Sequence, residues 1–143
     1  MPLIVHSYPS SNAGLCSALL AIERDAAQLG CAKATITKLR LVVEELYTNT
    51  LRHSDAAVDA LVIISLQRNA DARAHLRYED ESAAYDPFSA LQAAPRRAAL
   101  RSPVEDRPVG RLGITLVQGL SVSATYARVE PRNRIDVIID DAA

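Results

Sequence analysis

The sequence predicts an α/β fold of the α+β two-layer sandwich type, a mixed sheet of about five strands with helices on one face. Three observations carry that expectation. Strand-like alternation comes in two adjacent pairs, Ala60–Gln67 with Arg73–Glu79 and Val122–Val129 with Arg134–Asp140. Two long stretches with apolar residues at helical spacing precede the first pair, and a shorter one precedes the second. A chain of 143 residues, 49% hydrophobic and 23% charged, suits a single core, so residues 1–143 are read as one domain.

In chain order, Leu3-Ile4-Val5 is a short first strand, and Ser10-Ser11-Asn12 offers N-cap residues for a helix from Ala13 to Leu29. That helix carries Leu15, Leu19, Ile22, Ala26 and Leu29 on one face, and Gly30 ends it. A second helix runs from Lys33 to His53, with the break at Ser54-Asp55. The central strands are joined by the polar turn Arg68-Asn69-Ala70-Asp71. From Asp80 to Gly113 the pattern dissolves around Pro87, Pro95, Pro103 and Pro108, with one short helical stretch near Ser89 to Ala94; a lid at about 87–112 is expected here. Arg96, Arg97, Arg101, Arg107 and Arg111 in that stretch suit either phosphate or a solvated surface. Gly113 opens a helix bearing Ile114, Val117 and Leu120, and the last two strands are separated by Pro131-Arg132-Asn133.

Several functions are disfavoured at once. A formal net charge of −1 gives no chain-wide attraction to nucleic acid or anionic membrane, so neither is expected as a direct partner. No apolar run reaches transmembrane length and the first residues lack a signal peptide's pattern, which makes the cytoplasm the expected compartment. Cys16 and Cys31 have no metal-ligand spacing, and His6, His53 and His75 form no cluster that would hold zinc. The chain has no GxxxxGK[ST] loop, no GxGxxG after a strand and no G-x-S-x-G elbow.

The second helix contains the strongest site candidate. At 100° per residue Leu39, Val42, Val43 and Leu46 form an apolar arc, and Asn49 and His53 project within it. Glu45 lies at the edge of the arc, whereas Glu44 points away. A buried amide and a half-buried carboxylate one turn apart are costly unless paired, and their shared partner would be a hydrated cation or an attacked water beside a ligand. The structural alternative pairs Glu45 with Arg52 or another nearby cation. In the central hairpin, Ala74, Leu76 and Tyr78 share a face whose parity continues to Asp80. That carboxylate either reads a donor such as a purine's exocyclic amine or starts a turn. Gly110 and Gly113 in Val109-Gly110-Arg111-Leu112-Gly113 are either a phosphate cradle at a helix N-terminus or an ordinary glycine loop.

Taken in order, these elements resemble the GHKL (Bergerat-fold) ATPase superfamily. Glu45-Leu46-Tyr47-Thr48-Asn49-Thr50-Leu51-Arg52-His53 is similar to its N-box, in the E-x-x-T-N-x-x-x-H form of the small anti-sigma-factor serine kinases. Asp80-Glu81-Ser82-Ala83-Ala84-Tyr85-Asp86-Pro87 stands where the family has D-x-G-x-G-F-D-P, and Gly110-Arg111-Leu112-Gly113-Ile114 resembles the second glycine box. The resemblance implies ATP and Mg2+ as cofactors, Glu45 as general base, Asn49 as the magnesium ligand and Asp80 as the adenine reader. His53, Asp86, Gly110, Arg111, Leu112 and Gly113 would complete the nucleotide site. It further implies an anti-sigma factor and ATP-dependent protein serine kinase, with a sigma factor and an anti-anti-sigma (STAS-type) protein as partners and a homodimer as its assembly. The alternative is a nucleotide-poor, protein-binding regulator on the same fold. Ser82 and Ala84 replace the glycines of the first box; a Cβ at positive φ costs about 1 kcal/mol or more, which implies a remodelled base pocket.

Overall fold

Alternating burial along Ile4–Pro9 makes this stretch strand β1, with Ile4, His6 and Tyr8 turned toward the helices. A computed structural model describes residues 2–53, 60–89 and 111–141 of the chain. β1 extends beyond the expected Leu3–Val5 because His6 and Tyr8 occupy inward positions without looking apolar. His6 Nε2 instead lies 3.1 Å from the buried Asp25 carboxylate of the next helix.

Helix α1 (Asn12–Gln28) starts at Ser11, whose side chain accepts the Gly14 amide at 3.1 Å, and ends at Gly30 with φ +83°. Helix α2 (Lys33–His53) follows with the expected bounds. Gly14 permits the close meeting of α1, α2 and β1: a Cβ there would fall on the Pro9 carbonyl oxygen and the Tyr47 hydroxyl. The Tyr47 hydroxyl donates to that same carbonyl.

The hairpin β2 (Leu61–Asn69) and β3 (Arg73–Asp80), helix α3 (Arg111–Leu120) and the hairpin β4 (Ser123–Val129) and β5 (Arg132–Asp140) complete the described elements. The five-stranded sheet has the order β1-β2-β3-β5-β4, and every neighbouring pair is antiparallel. The expected mixed sheet is therefore corrected to an antiparallel one. The physical reason lies in the connections. Two helices separate β1 from β2, so the chain re-enters the sheet reversed, and β5 inserts between β3 and β4.

One face of the sheet is covered. Val62, Ile64, Leu66, Ala74, Leu76, Tyr78, Ile135, Val137 and Ile139 are buried against Ala18, Ile22 and Ala26 of α1 and Ile114 and Val117 of α3. Leu39, Val42, Val43 and Leu46 of α2 are all buried in the same core, as the apolar arc predicted. At roughly 25 cal/mol per Å² of apolar surface, this shared layer dominates the fold's stability and holds α2 rigidly over β3 and β5.

One end of the sandwich is clamped by Asp141, just past β5. Its Oδ1 accepts the Ala32 amide at the start of α2 at 2.9 Å, and its Oδ2 pairs with Arg68 Nε at 2.6 Å. Burial pushes this carboxyl up, but hydrogen bonds from Thr35, the Ala32 amide and Arg68 outweigh it and hold it below the usual carboxylate range. The opposite end, where β3 finishes and β5 begins, carries the candidate site.

Candidate functional site

Helix α2 delivers three polar side chains, Asn49, Thr50 and His53, to the end of the sheet where β3 terminates in Asp80, and carries Glu45 one turn before Asn49. A small cleft, with a cavity volume of about 20 Å3 and open to solvent, is lined there by Leu46, Asn49, Thr50, His53, Tyr78, Asp80, Ser82, Ala83, Tyr85, Pro87, Asn133 and Ile135. Three residues predicted from sequence, Asn49, His53 and Asp80, thus share one wall-and-floor arrangement.

Asn49 is 9% exposed, and its side chain makes no hydrogen bond among the described residues. An amide so placed reaches solvent through the cleft, with donors and acceptors unused by the protein. Glu45 is half-buried and Glu44 exposed, as helical geometry required. Among the described residues Glu45 makes no ion pair with Arg52 or any other cation, so the structural alternative for it is not realised there. Its carboxylate lies against the first turn of α3: a Cβ on Gly113 would fall on Glu45 Oε2 and stand 2.7 Å from Cδ. Gly113 is therefore a close-approach glycine inside the helix. α3 begins two residues earlier than expected, at Arg111, and the backbone of Arg111 and Leu112 forms its start.

Asp80, 8% exposed, accepts a protein donor at each of its two oxygens. Thr50 Oγ1 donates to its Oδ2 at 2.8 Å, while Asn133 Nδ2 at 2.9 Å and the Ser82 amide at 3.2 Å share its Oδ1. The Tyr78 hydroxyl lies 2.6 Å from Thr50 Oγ1. The Thr50 proton has two acceptors, Asp80 Oδ2 and, at 3.1 Å, the Leu46 carbonyl, so Tyr78 is the donor to Thr50, and burial pushes the Tyr78 phenol well above its ordinary value and keeps its proton in place. The resulting chain, Tyr78 to Thr50 to Asp80, orients the carboxylate toward the cleft.

The loop after β3 is not strained by its missing glycines. Among the described residues only Ala72 (φ 58°) and Gly30 have positive φ, so Ser82 and Ala84 do not carry the penalty expected of them. Hydrogen bonds hold the loop instead. Arg128 Nη1 donates to the Ser82 carbonyl at 2.7 Å, Asn133 Nδ2 donates to the Ala83 carbonyl at 2.9 Å, and the Tyr85 amide donates to Asn133 Oδ1 at 3.1 Å. Asp86 Oδ1 accepts the Phe88 and Ser89 amides at 3.0 and 3.2 Å, capping a helical turn at 87–89 with Pro87 in its first position. That carboxylate shapes the cleft wall and does not line the cleft.

His53 departs from the expected burial. Being the last residue of α2, it has no core above it; it is exposed and its ring stacks on Tyr85, with centroids 4.6 Å apart and planes at 22°. Gly110, the prolines and arginines between 90 and 110, and the expected lid up to that point lie outside the described residues.

Sequence reasoning missed Thr50, Tyr85 and Asn133. Thr50 follows Asn49 directly and is read as filler unless Asp80 is already placed beside it. Asn133 was expected in a turn, but the β4–β5 connection is tighter: Val129 pairs with Arg132, which puts Asn133 opposite Arg128 on β4 and Asp80 on β3. Register was the signal available, since inward parity from Ile135 leads back to Asn133.

The model of the histidine kinase-like ATPase domain matches residues 8–139, nearly the whole chain. The chain belongs to this family. A comparison with curated proteins found no match. Among solved structures, the RsbU and RsbW domains of Rv1364c from Mycobacterium tuberculosis are similar at a TM-score of 0.68 and 9% identity, over 98% of this chain. This chain spans about a third, 32%, of that one. The SiaB–SiaC complex from Pseudomonas aeruginosa gives a TM-score of 0.57 at 15% identity, covering 95% of this chain and 88% of that one. A histidine kinase domain from Erythrobacter litoralis gives 0.51 at 17%, over 93% of this chain and 61% of the other. At such identities these likenesses establish the fold alone, in agreement with a histidine kinase-like ATPase domain. Among its described residues no helix is long and apolar enough to cross a membrane, and no group of three or more His, Cys, Asp or Glu could hold a metal ion.

Proposed function

We propose that this histidine kinase-like ATPase domain is an ATP- and magnesium-dependent protein serine kinase of the partner-switching kind, acting in the cytoplasm. It would sequester a sigma factor and phosphorylate a serine on an anti-anti-sigma, STAS-type antagonist. The observation that carries the reading is the pairing on α2 of an unpartnered, nearly buried Asn49 with an unpaired Glu45 one turn earlier. Asn49 lines the cleft that also holds Asp80, and Glu45 lies against Gly113 of α3.

In this reading Asp80 accepts the exocyclic amine of adenine, and His53 and Tyr85 flank the base at the mouth. Asn49 presents a carbonyl oxygen, the hard donor that Mg2+ prefers, and a single protein ligand suits an ion that completes its shell with phosphate and water. When bound, Mg2+ supplies neutralisation of phosphate charge. Glu45 orients the serine hydroxyl and takes its proton as the oxygen attacks the γ-phosphorus and the bond to the ADP oxygen breaks. Positioning of this sort accounts for most of phosphoryl-transfer catalysis. Gly113 lets Glu45 reach that place, and Gly110, Arg111 and Leu112 are assigned to the phosphates. A homodimer is the assembly proposed with this function.

A second reading, a protein-binding regulator without efficient turnover, is favoured by one observation. Every oxygen of Asp80 already has a protein donor. Incubation with labelled ATP, magnesium and an anti-anti-sigma protein distinguishes the two: label on serine supports the kinase, and ATP-independent capture of the partner without label supports the regulator.

A further inference from the structure

Asn133 is bound at both ends of its amide, and the groups around it admit only one orientation. On one side lie two acceptors, Asp80 Oδ1 and the Ala83 carbonyl, each 2.9 Å from Nδ2. On the other lie two donors, the Tyr85 amide at 3.1 Å and the Tyr126 hydroxyl at 2.6 Å from Oδ1. The residue is 5% exposed and lines the cleft at the start of β5. Its NH2 group thus presents to Asp80 the same chemistry as the exocyclic amine of an adenine, a planar nitrogen donating to a carboxylate.

A carboxylate offers about four acceptor positions. Three on Asp80 are filled by Thr50, Asn133 and Ser82, and the Thr50 contact belongs to the buried Tyr78–Thr50 chain behind the site. Asn133 is the donor at the cleft with rotatable bonds of its own. The same amide also fixes Tyr85, whose ring covers His53 at the mouth. Floor and mouth are therefore tied together by one side chain.

We propose that Asn133 is an internal competitor for the base site: its amide holds Asp80 Oδ1, where a purine amine would donate, and it sets nucleotide affinity by how readily it swings away. This rests on the reading of Asp80 as the base reader. It predicts a chain whose affinity for ATP is limited by an intramolecular contact and not by the missing glycines of the first box.

The experiment compares wild type, Asn133→Ala and Tyr126→Phe, titrating each with ATP and with inorganic triphosphate in magnesium, after circular dichroism has established the fold. Asn133→Ala should bind ATP about tenfold more tightly while its affinity for triphosphate, which has no base, stays unchanged. Tyr126→Phe, which removes only the hydroxyl that pins Asn133 Oδ1, should gain two- to threefold in the same direction, and it carries the test if Asn133→Ala does not fold. Equal or weaker ATP binding by the folded variants overturns the proposal while leaving the proposed function standing. A parallel gain or loss for ATP and triphosphate also overturns it, because the effect is then general loosening. Absence of ATP binding in wild type and variants alike at millimolar concentration overturns the proposed function and this inference together.

Discussion

Around α2, the polar groups that meet β3 and β5 differ from Asn49 and Glu45 in how they are paired. At the β3–β5 end, Asp80, Thr50, Tyr78 and Asn133 satisfy one another through contacts of 2.6–2.9 Å. At the α2–α3 end, Asn49 and Glu45 have no partner among the described residues, although they lie on the same helix as Thr50. Adjacent residues on one helix thus meet opposite fates. A satisfied network defines shape, and its loss costs stability; a polar group open to solvent adds little to stability and is free to meet a ligand. Under the proposed function, one end is architecture and the other chemistry.

Mutations should separate the two. The largest effect belongs to Glu45→Ala, expected to reduce transfer to serine by roughly 10²- to 10⁴-fold, the range for a positioned general base, with ATP binding retained. Glu44→Ala, on the exposed side of the same turn, should change neither; equal losses in a radiolabel transfer assay would break the contrast. Gly113→Ala should lower turnover by about 10²-fold, because the new Cβ takes the place of the Glu45 carboxylate. Since that carboxylate is the end of a flexible side chain and Ala favours helix over Gly by up to about 1 kcal/mol, its melting temperature should not fall.

Thr50→Val should cost about 1–3 kcal/mol in denaturant unfolding, since it strands Asp80 Oδ2 and the Tyr78 hydroxyl in the interior. Asn49→Ala, one residue away, should stay within about 0.5 kcal/mol of wild type. A cost at Asn49 equal to that at Thr50 would remove the distinction between the ends.

A pH-dependent effect concerns the clamp at the far end of the sheet. The folded-state pKa of Asp141 is depressed, so its contribution is present above the unfolded carboxylate value and lost as pH falls through the folded one. Thermal unfolding below about pH 4 should therefore narrow the gap between wild type and Asp141→Asn, whereas at pH 7 the gap should be full, about 1–2 kcal/mol. A gap that persists unchanged in acid would show that the clamp acts without its charge.

Much of this was legible in the sequence where pattern and physics act locally. The bounds of α2 and the burial of Leu39, Val42, Val43 and Leu46 followed from helical period, and the exposed Glu44 against half-buried Glu45 followed from the same wheel. The antiparallel sheet was not legible from strand content alone, because strand direction depends on how many elements intervene and which strand inserts between others. Asn133 was lost to a turn reading that shifted the start of β5, and with it the register that pairs it with Asp80. Ser82 and Ala84 were read against a positive φ that the loop does not adopt, since side chains from β4 and β5 hold it instead. Long-range hydrogen bonds leave no period in the chain.

The central claim is that the unpartnered Asn49 marks a magnesium-dependent nucleotide site. It is tested most directly by calorimetric titration of ATP into wild type and Asn49→Ala, each with magnesium and with chelator. The account predicts that wild type binds ATP more tightly by tenfold or more when magnesium is present, and that Asn49→Ala, folded and equally stable, loses this dependence. Magnesium-dependent binding that survives intact in Asn49→Ala, or ATP binding by wild type that is indifferent to magnesium, would contradict it.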